Sequence, residues 1–240
     1  MWDDPSVDWG RFDLVIVRSA WDYAERWAEF LHWAGTVPRI ENPLPVLRFG
    51  VDKECYLSAL AGAGVPVVPT AFVHPGEPFV EPEEPFVVKP AISAGGRRSA
   101  RFAPGDEAGE LVGEITGAGE TAMVQPLLSG VLESSLVYVD GAYSHSLSRR
   151  ADLPAGRAEE VLYLDEELGL YDATAGEQQV AEAALVLVPG PTLYARVDLL
   201  GGLVLELEVV EPSLYLGYGK GAANRLAAAV AARLEARLQA

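Results

Sequence analysis

The most regular alternation of polar and apolar positions lies between residues 194 and 209. Successive side chains of a strand point to opposite faces, so Arg196 and Asp198 share one face of a first run. Glu206 and Glu208 share a face of a second run, between apolar residues. Gly201-Gly202 separates the two runs, and this combination predicts a β-hairpin that carries charged side chains.

The register of this hairpin decides whether its three carboxylates meet, because a slip of one residue moves every side chain to the other face. A two-residue turn would pair Leu200 with Leu203 and place the two glutamates on the face opposite Asp198. A three-residue turn with a left-handed glycine would pair Leu199 with Leu203 and place all three acids together. We predict the three-residue turn.

Three carboxylates on one face repel one another. At about 4 Å and an effective dielectric constant near 20, each pair costs about 4 kcal/mol. Arg196 offsets part of this repulsion, and a hard cation such as Mg²⁺, which binds carboxylates together with substrate phosphates, offsets more. The alternative is a solvated face in a chain with 35 acidic residues. We predict a metal site at Asp198, Glu206 and Glu208, for Mg²⁺ or alternatively Mn²⁺.

Along the rest of the chain the pattern predicts short strands mixed with helices, which is an α+β class. Asp52 is a predicted N-cap, and Asp140-Gly141 between two alternating runs is a strong hairpin signal. The predicted helices span residues 23–33, 53–61, 106–115, 176–188 and 222–238. The predicted strands span residues 12–19, 67–73, 86–90, 122–128, 133–139 and 142–149. Residues 152–174 are predicted to be an irregular, acidic connector.

The first part of the chain is unusually aromatic, since all five tryptophans lie within the first 33 residues. So much aromatic surface needs a larger body to cover it, and one strand with one helix does not make a domain. Either this segment packs on the rest of the chain, or a preceding strand and helix are absent. The breaker cluster Asn42-Pro43 with Pro45 predicts a boundary after it.

Composition narrows the function. The formal charge of −17 argues against a nucleic-acid partner, because phosphate backbones are bound by Lys and Arg. The chain has no run of 18 apolar residues and no signal-like opening, so we expect no membrane association and a cytoplasmic location. The single cysteine, Cys55, cannot form an internal disulfide.

Four short motifs follow one another in an order that favours a nucleotide-binding site. Lys53 opens a predicted helix, Lys89 ends a predicted strand, and Gly95-Gly96 follows that lysine six and seven residues later. Lysines neutralise phosphate charge, and a glycine loop lets backbone N–H groups approach phosphate oxygens. Pro126, after Gln125, cannot donate to a sheet ladder, so a kinked strand there leaves backbone groups free to meet a base.

In this combination the chain resembles the ATP-grasp superfamily, and more closely its glutathione synthetase-like members. The resemblance implies two α+β lobes with a nucleotide between them, behind a truncated N-terminal α/β segment. It divides the chain into residues 1–48, the remnant of that N-terminal domain, 49–119, the smaller lobe, and 120–240, the C-terminal lobe with the metal site. The stretches 18–23, 144–146 and 211–214 narrow the resemblance to the branch that includes the O-ureidoserine cyclo-ligase of cycloserine biosynthesis.

The resemblance also implies the site residues. Those expected to bind ATP are Lys53, Lys89, Ser93, Gly95, Gly96, Gln125, Pro126, Leu127, Leu128 and Glu133, the last at the ribose. Asp198, Glu206 and Glu208 are implied as Mg²⁺ ligands, although these relatives usually carry Asn in place of Glu208. Arg196 is implied to steady the transferring phosphoryl group. Arg18, with Asp22, belongs either to the acceptor side or to a structural ion pair.

The implied activity is an ATP- and Mg²⁺-dependent carboxylate–amine ligase or cyclo-ligase. It acts through an acyl-phosphate on a small amino-acid-like substrate, and it converts ATP to ADP and phosphate. The alternative is a nucleotide-binding module without ligase activity. The expected partners of the protein are ATP and small carboxylate and amine substrates, and the formation of a homodimer is left open.

Overall fold

A computed structural model of the protein describes residues 1–20, 22–151, 153–156 and 166–239. The helices in this part of the chain are α1 (Trp27–Thr36), α2 (Leu44–Val51), α3 (Lys53–Gly62), α4 (Ala108–Gly117), α5 (Ala175–Val186) and α6 (Ala222–Leu238). The strands are β1 (Val15–Ile16), β2 (Ile40–Glu41), β3 (Ala71–Val73), β4 (Phe86–Pro90), β5 (Ala100–Phe102), β6 (Ala122–Pro126), β7 (Glu133–Val139), β8 (Ala142–Ala151), β9 (Glu166–Leu170), β10 (Tyr194–Leu200) and β11 (Leu203–Glu208).

The described strands form three sheets. β1 and β2 form a short parallel pair near the N-terminus. A four-stranded antiparallel sheet has the order β3-β6-β4-β5, and a five-stranded antiparallel sheet has the order β11-β10-β7-β8-β9. Two separate antiparallel sheets, each accompanied by helices, agree with the predicted α+β class.

The four-stranded sheet forms the smaller lobe. Apolar residues of α4 pack on Phe86 and Val88 of β4, and the rings of Phe86 and Phe102 stack with centroids 5.6 Å apart. Because side chains alternate along β4, Val87 and Lys89 point to the other face, which lines a cavity. One face of this sheet therefore makes the core and the other is available for binding.

The five-stranded sheet forms the larger lobe and has helices on both faces. Val197 and Leu199 of β10 pack with residues of α3 and α5, while Tyr194 packs on the side of α6. Alternation places Arg196 and Asp198 on the face of Tyr194. The core of this lobe therefore fixes which way the charged side chains of β10 point.

The aromatic N-terminal segment packs on the rest of the chain, as in the first of the two predicted alternatives. Trp2 meets Phe30 edge to face, with centroids 5.7 Å apart, in a cluster that includes residues of α2 and Val210. The Tyr194 hydroxyl donates to the carbonyl of Val17 at 2.6 Å, which joins this segment to the five-stranded sheet. The strand predicted at 12–19 is reduced to the two residues of β1.

The turn of the acidic hairpin differs from the prediction. Leu200 pairs with Leu203, so Gly201 and Gly202 alone form the turn, and their φ angles are 60° and 82°. A two-residue turn with positive φ at both central positions matches the right-handed twist of the flanking strands, and glycine adopts it without steric cost. The predicted three-residue turn is therefore wrong.

A β-bulge nevertheless places the three acids on one face, as predicted. The register shifts between Asp198 and Leu199, so Leu205 has no partner on β10 and Glu206 lies opposite Asp198. A bulge inserts one extra residue into one strand and thereby moves every later side chain of that strand to the other face. The extra residue compensates for the shorter turn.

The predicted connector is wrong in part, because β9 lies within it and pairs with β8. Residues 152 and 157–165 of that connector lie outside the described residues. The proposed boundary between residues 119 and 120 stays a prediction, and β6 lies just past it although it belongs to the four-stranded sheet. Among the described residues, no helix combines the length and apolarity that a bilayer crossing requires.

Candidate active site

A cavity of about 760 Å³ is lined by residues of both antiparallel sheets. The predicted site residues that line it are Lys53, Lys89, Ser93, Gly95, Gly96, Gln125, Pro126, Leu127, Leu128, Glu133, Arg196, Glu206 and Glu208. Asp198 lies behind this lining, with 0% of its surface exposed. Arg18 lines a different cavity, so the structure does not bring it to the same place.

Two lysines reach the cavity from different elements. The ammonium of Lys89, at the end of β4, donates to Glu206 Oε1 at 2.7 Å and so connects the smaller lobe to the acidic hairpin. Lys53 is the first residue of α3, and its Nζ donates to the carbonyl of Ser93 at 2.6 Å. Burial lowers the pKa of Lys53, and the negative charge of Glu206 opposes this effect.

The glycine loop begins a few residues after Lys89. Gly95 and Gly96 have positive φ angles of 65° and 74°, a backbone conformation that other L-residues rarely adopt. Arg97, next in the loop, forms an ion pair with Glu25 of the N-terminal segment. Gly95 and Gly96 line the cavity, so the backbone N–H groups of the loop can bind an anionic ligand there.

Hydrogen bonding fixes the orientation of the Gln125 amide. The Thr70 hydroxyl has one proton, which it donates to the carbonyl of Val68 at 2.9 Å, so its oxygen can only accept from Gln125 Nε2, also at 2.9 Å. The remaining hydrogen-bonding groups of this side chain are Oε1, an acceptor, and the second N–H of Nε2. An acceptor suits the exocyclic amino group of adenine, which is a donor.

Of the two backbone N–H groups that follow Pro126, only one is left without an acceptor in the described part of the chain. Pro126 ends β6, and the N–H of Leu127 is engaged with the carbonyl of Pro85 at 2.8 Å. The N–H of Leu128 has no acceptor among the described residues. Leu128 is therefore the backbone donor that this stretch offers to a ligand.

The three acids of the hairpin form one cluster, in which one carboxylate oxygen from each lies within 4.8 Å of the others. Burial opposes ionisation of Glu206, but Lys89 and Lys53 outweigh it and hold the pKa of Glu206 below its usual range. Burial raises the pKa of Glu208, with added repulsion from Glu206 and Asp198. The hairpin thus holds one strongly ionised carboxylate beside one that is less acidic.

Asp198 is the most constrained of the three acids. Arg196 donates to it in a fork, with Nε to Oδ1 and Nη2 to Oδ2 both at 2.8 Å, and the Ser135 hydroxyl donates to Oδ1 at 2.6 Å. Burial opposes its ionisation, yet Arg196 and Arg149 hold its pKa below the usual range. Arg196 also donates to the carbonyl of Ser213 at 3.0 Å, so its position is fixed from two sides.

This donor set suits a hard divalent cation. All three ligand groups are carboxylates, the type that Mg²⁺ and Mn²⁺ prefer, and phosphate oxygens of a nucleotide in the adjoining cavity can complete the coordination. Glu206 and Glu208 line the cavity, whereas Asp198 is fully buried, with one carboxylate oxygen within 4.8 Å of theirs. The residues therefore fit the predicted metal.

Sequence analysis missed Arg149, which connects several acids of the site. Its Nε donates to Glu133 Oε1 at 2.8 Å, its Nη1 to Glu166 Oε1 at 3.0 Å, and its Nη2 to Asp198 Oδ2 at 3.3 Å. Burial raises the pKa of Glu133, and the charge of Arg149 opposes this shift. One signal was available in the sequence: Arg149 lies two positions after Leu147 in a predicted strand, so the two side chains share a face. Leu147 is fully buried in the structure.

Arg18 and Asp22 do not pair with each other. Arg18 Nη1 donates to the carbonyl of Pro212 at 2.5 Å, while Asp22 accepts from Trp2 Nε1 at 2.8 Å and from Arg26 at 3.3 Å. Arg18 lines a second cavity of about 530 Å³, beside three tryptophans. The structural ion pair considered for these two residues is therefore not formed.

Two more residues of the main cavity, Tyr23 and Glu211, were quoted in the sequence motifs but were not assigned a role. Burial raises the pKa of the Tyr23 phenol well above its usual value, and the charges of Glu208 and Glu211 add to the shift. Both side chains lie at the part of the cavity that adjoins the N-terminal segment.

Comparisons with known proteins agree on one family. Residues 1–44 match the family model described as the N-terminal domain of D-cycloserine synthetase DcsG. The cycloserine biosynthesis protein DcsG of Streptomyces lavendulae is 35% identical over 263 residues, a match that covers 98% of this chain and 87% of that protein.

Solved structures give the same result. The crystal structure of D-cycloserine synthetase DcsG matches with a TM-score of 0.81 and 32% identity, over 97% of this chain and 88% of that one. The D-alanine–D-alanine ligase of Bacillus anthracis complexed with ATP shares the fold, with a TM-score of 0.64 at 16% identity, over 91% of this chain and 84% of that one. This chain therefore belongs to the DcsG family and is an ATP-grasp ligase of the type that forms C–N bonds.

Proposed function

We propose that the protein is a Mg²⁺-dependent ligase that activates the carboxylate of a small amino-acid-like substrate as an acyl-phosphate. An amine then displaces phosphate, either from a second molecule or from the same one, so that the product is open or cyclic. The relative DcsG is a D-cycloserine synthetase, which supports an amino-acid-like substrate and also supports the cyclo-ligase form of the reaction. We also propose that the protein acts in the cytoplasm.

One observation carries this proposal: two lysines and two acids line one cavity, and a third acid, Asp198, is buried beside those two acids. The Lys89 ammonium lies 2.7 Å from Glu206 Oε1, although one belongs to the smaller lobe and the other to the hairpin of the larger lobe. Lys53 lines the same cavity from α3. A triphosphate with a divalent cation needs both kinds of group side by side, cations for its oxygens and acids for its metal.

The hydrogen-bonding and charged groups along the cavity set the proposed direction of the nucleotide. Gln125 Oε1 and the N–H of Leu128 offer the acceptor and the donor that the edge of adenine requires. Glu133, held by Arg149 at 2.8 Å, is the proposed ribose contact. Lys53, Lys89 and the glycine loop then face the phosphates.

Asp198, Glu206 and Glu208 are the proposed Mg²⁺ ligands, and the bound ion would neutralise phosphate charge. Lys89 now donates to Glu206, so we expect it to exchange that acid for a phosphate oxygen when nucleotide and metal bind. Arg196 is fixed by Asp198 and Ser213, and it is proposed to steady the transferring phosphoryl group. Arg18 stays a candidate for the acceptor side.

The chemistry follows two displacements. A carboxylate oxygen of the substrate attacks the γ-phosphorus and ADP leaves. The neutral amine nitrogen then attacks the acyl carbon, a C–N bond forms, the nitrogen loses one proton to solvent, and phosphate leaves with the electron pair of the broken C–O bond. Most of the protein's contribution is positioning and charge stabilisation, because phosphoryl transfer needs little covalent chemistry from the enzyme.

The direct test is Lys89→Ala. Loss of this ammonium removes a charge aimed at the phosphates, so Mg²⁺-dependent phosphate release over a panel of D- and L-amino acids should fall by about a hundredfold or more. Lys220→Ala is the matched control, because Lys220 is exposed and lies outside the cavity. Release of ¹⁸O-labelled phosphate from a carboxylate-labelled substrate would test the acyl-phosphate step.

Unchanged turnover in Lys89→Ala would count against the proposed site. ATP binding by calorimetry without phosphate release from any substrate of the panel would instead favour a nucleotide-binding module. Phosphate release without ¹⁸O transfer would reject the acyl-phosphate and leave the nucleotide site in place.

A further inference from the structure

The acids that line the main cavity differ in whether they have a cationic partner. Glu133 and Glu166 both pair with Arg149, and Glu206 pairs with Lys89. Glu208 pairs with Arg196 at 3.3 Å. Among the described residues that line the cavity, Glu211 is the acid that forms no ion pair.

The surroundings of Glu211 make this absence significant. Burial raises its pKa to about 7, the charge of Glu208 adds to the shift, and Arg18 together with the backbone N–H of Ser19 opposes it. Arg18 does not come within ion-pair distance and instead donates to the carbonyl of Pro212. A partly buried carboxylate without a counter-ion is unfavourable, so a cationic group of a ligand would stabilise it.

The backbone around Glu211 holds it at the cavity. Pro212, the next residue, is buried, and its carbonyl accepts a hydrogen bond from Arg18. Ser19, whose N–H faces Glu211, has a positive φ of 56°, an uncommon conformation for a residue other than glycine. Tyr23 lines the cavity nearby and adds a neutral hydroxyl, because its pKa is raised.

We infer that Glu211 binds the ammonium group of an amino-acid substrate whose carboxylate faces the metal-binding acids. The inference rests on the proposed function and specifies the substrate as one with a primary amine near the carboxylate that is activated. Glu211 lines the same cavity as Glu208, and the two carboxylates lie near enough for the charge of Glu208 to raise the pKa of Glu211.

A second metal ion is the less suitable occupant. The group of acids whose ligand atoms lie within 4.8 Å of one another consists of Asp198, Glu206 and Glu208 and does not include Glu211. Divalent cations need several oxygen ligands in close geometry, whereas an ammonium group needs one carboxylate and a few further acceptors. A single acid without a counter-ion suits the ammonium.

The experiment compares ligands that differ only in the amino group. Calorimetry with Mg²⁺ and ADP present would measure the binding of D- and L-serine against 3-hydroxypropionate, D- and L-alanine against propionate, and D-cycloserine against isoxazolidin-3-one. We expect the unaltered protein to prefer at least one amino compound by about tenfold or more, as a charged hydrogen bond contributes. Glu211→Gln should reduce that preference to about twofold or less.

Matched variants separate this effect from folding and from the nucleotide site. Glu211→Gln should keep the affinity for ATP and the melting temperature, and Glu211→Asp should keep part of the preference for the amino compound. Glu110→Gln, which alters an exposed acid on α4, should behave as the unaltered protein in every assay.

The outcomes distinguish this inference from the proposed function. A Glu211→Gln variant that still prefers the amino compound overturns it, and so does an unaltered protein that prefers none of the amino compounds. The inference is also overturned if Glu211→Gln weakens the binding of Mn²⁺ and not the binding of the amino compounds. The proposed function would survive each of these results if ATP-dependent phosphate release still required Lys89.

Discussion

Two hairpins of the five-stranded sheet, β7–β8 and β10–β11, have the same backbone plan. Each has a two-residue turn with positive φ at both positions, Asp140-Gly141 in one and Gly201-Gly202 in the other. In each, two residue pairs follow the turn and then one extra residue bulges from the second strand, Ser144 in β8 and Leu205 in β11.

The two hairpins differ in what the bulge re-orients. After Ser144 the re-oriented side chain is His145, which is buried. Its Nε2 forms a hydrogen bond with the carbonyl of Leu214 at 3.0 Å. After Leu205 the re-oriented side chains are Glu206 and Glu208, which line the cavity. The same backbone device therefore supports packing in one hairpin and a candidate metal site in the other.

The strongest test of this comparison is insertion of one alanine between Leu205 and Glu206. With the bulge kept at Leu205, the new alanine would lie opposite Asp198, and Glu206 and Glu208 would turn to the other face, because side chains alternate along a strand. We expect Mg²⁺-dependent phosphate release to fall by about a hundredfold or more, and Mn²⁺ binding, followed by electron paramagnetic resonance, to be lost.

Leu205→Ala is the control for that insertion, since it keeps the residue count and hence the register of Glu206 and Glu208. It should retain Mn²⁺ binding and much of the activity. Equal losses in the insertion and in Leu205→Ala would mean that any change at this point of β11 is damaging, and that the register is not the cause.

A smaller effect is expected when the turn glycines are changed. Each Gly→Ala change at a positive φ should lower the free energy of unfolding by about 1–2 kcal/mol. Gly201→Ala should lie at the upper end, because its new Cβ would meet Val131 Cγ1 at 2.6 Å. At Gly202 and Gly141 nothing lies within 4 Å of the new atom.

Chemical denaturation of the three variants would measure this order. Equal losses for Gly201→Ala and Gly141→Ala would show that the contact with Val131 relaxes freely. A stabilised Gly202→Ala variant would contradict the left-handed turn.

The smallest predicted effect is a pH dependence that comes from the structural hairpin. Burial lowers the pKa of His145, so the unfolded state binds the proton more readily than the folded state. The contribution of neutral His145 to stability is therefore present above the ordinary pKa of about 6.5 and is lost as the pH falls below it. His145→Gln should weaken the fall in the free energy of unfolding between pH 7 and pH 5.

Denaturation of the two proteins at matched pH values would measure that difference. An identical pH dependence would mean that His145 stays neutral in both states or is charged in both.

Much of the fold was predictable because its signals are local. Alternation with Asp140-Gly141 gave the first hairpin, and the predicted helix 222–238 coincides with α6. Asp52 caps α3 as predicted, with its side chain accepting from the N–H groups of Glu54 and Cys55. Each of these depends on residues a few positions apart, so periodicity and turn chemistry suffice.

The register of the acidic hairpin was not predictable in the same way. The sequence offered two turns, and the prediction favoured the three-residue turn because the two-residue turn placed the acids apart. A bulge resolves this conflict, but its position depends on which side chains of β11 pack beneath the sheet, as Val204 and Leu207 do. Such packing depends on α3 and α5, which come from distant parts of the chain.

By itself, the sequence determined the order of the elements and the chemical types available: two lysines, a glycine loop, and a strand pair rich in acids. Only the tertiary structure decided which of these groups meet. Lys89 and Glu206 are 117 positions apart, and Arg149 on β8 contacts Glu133 and Glu166 on the two adjacent strands and Asp198 one strand further away. The physical reason is that ion pairing and burial depend on distance in space, which strand order and helix packing fix and local sequence does not.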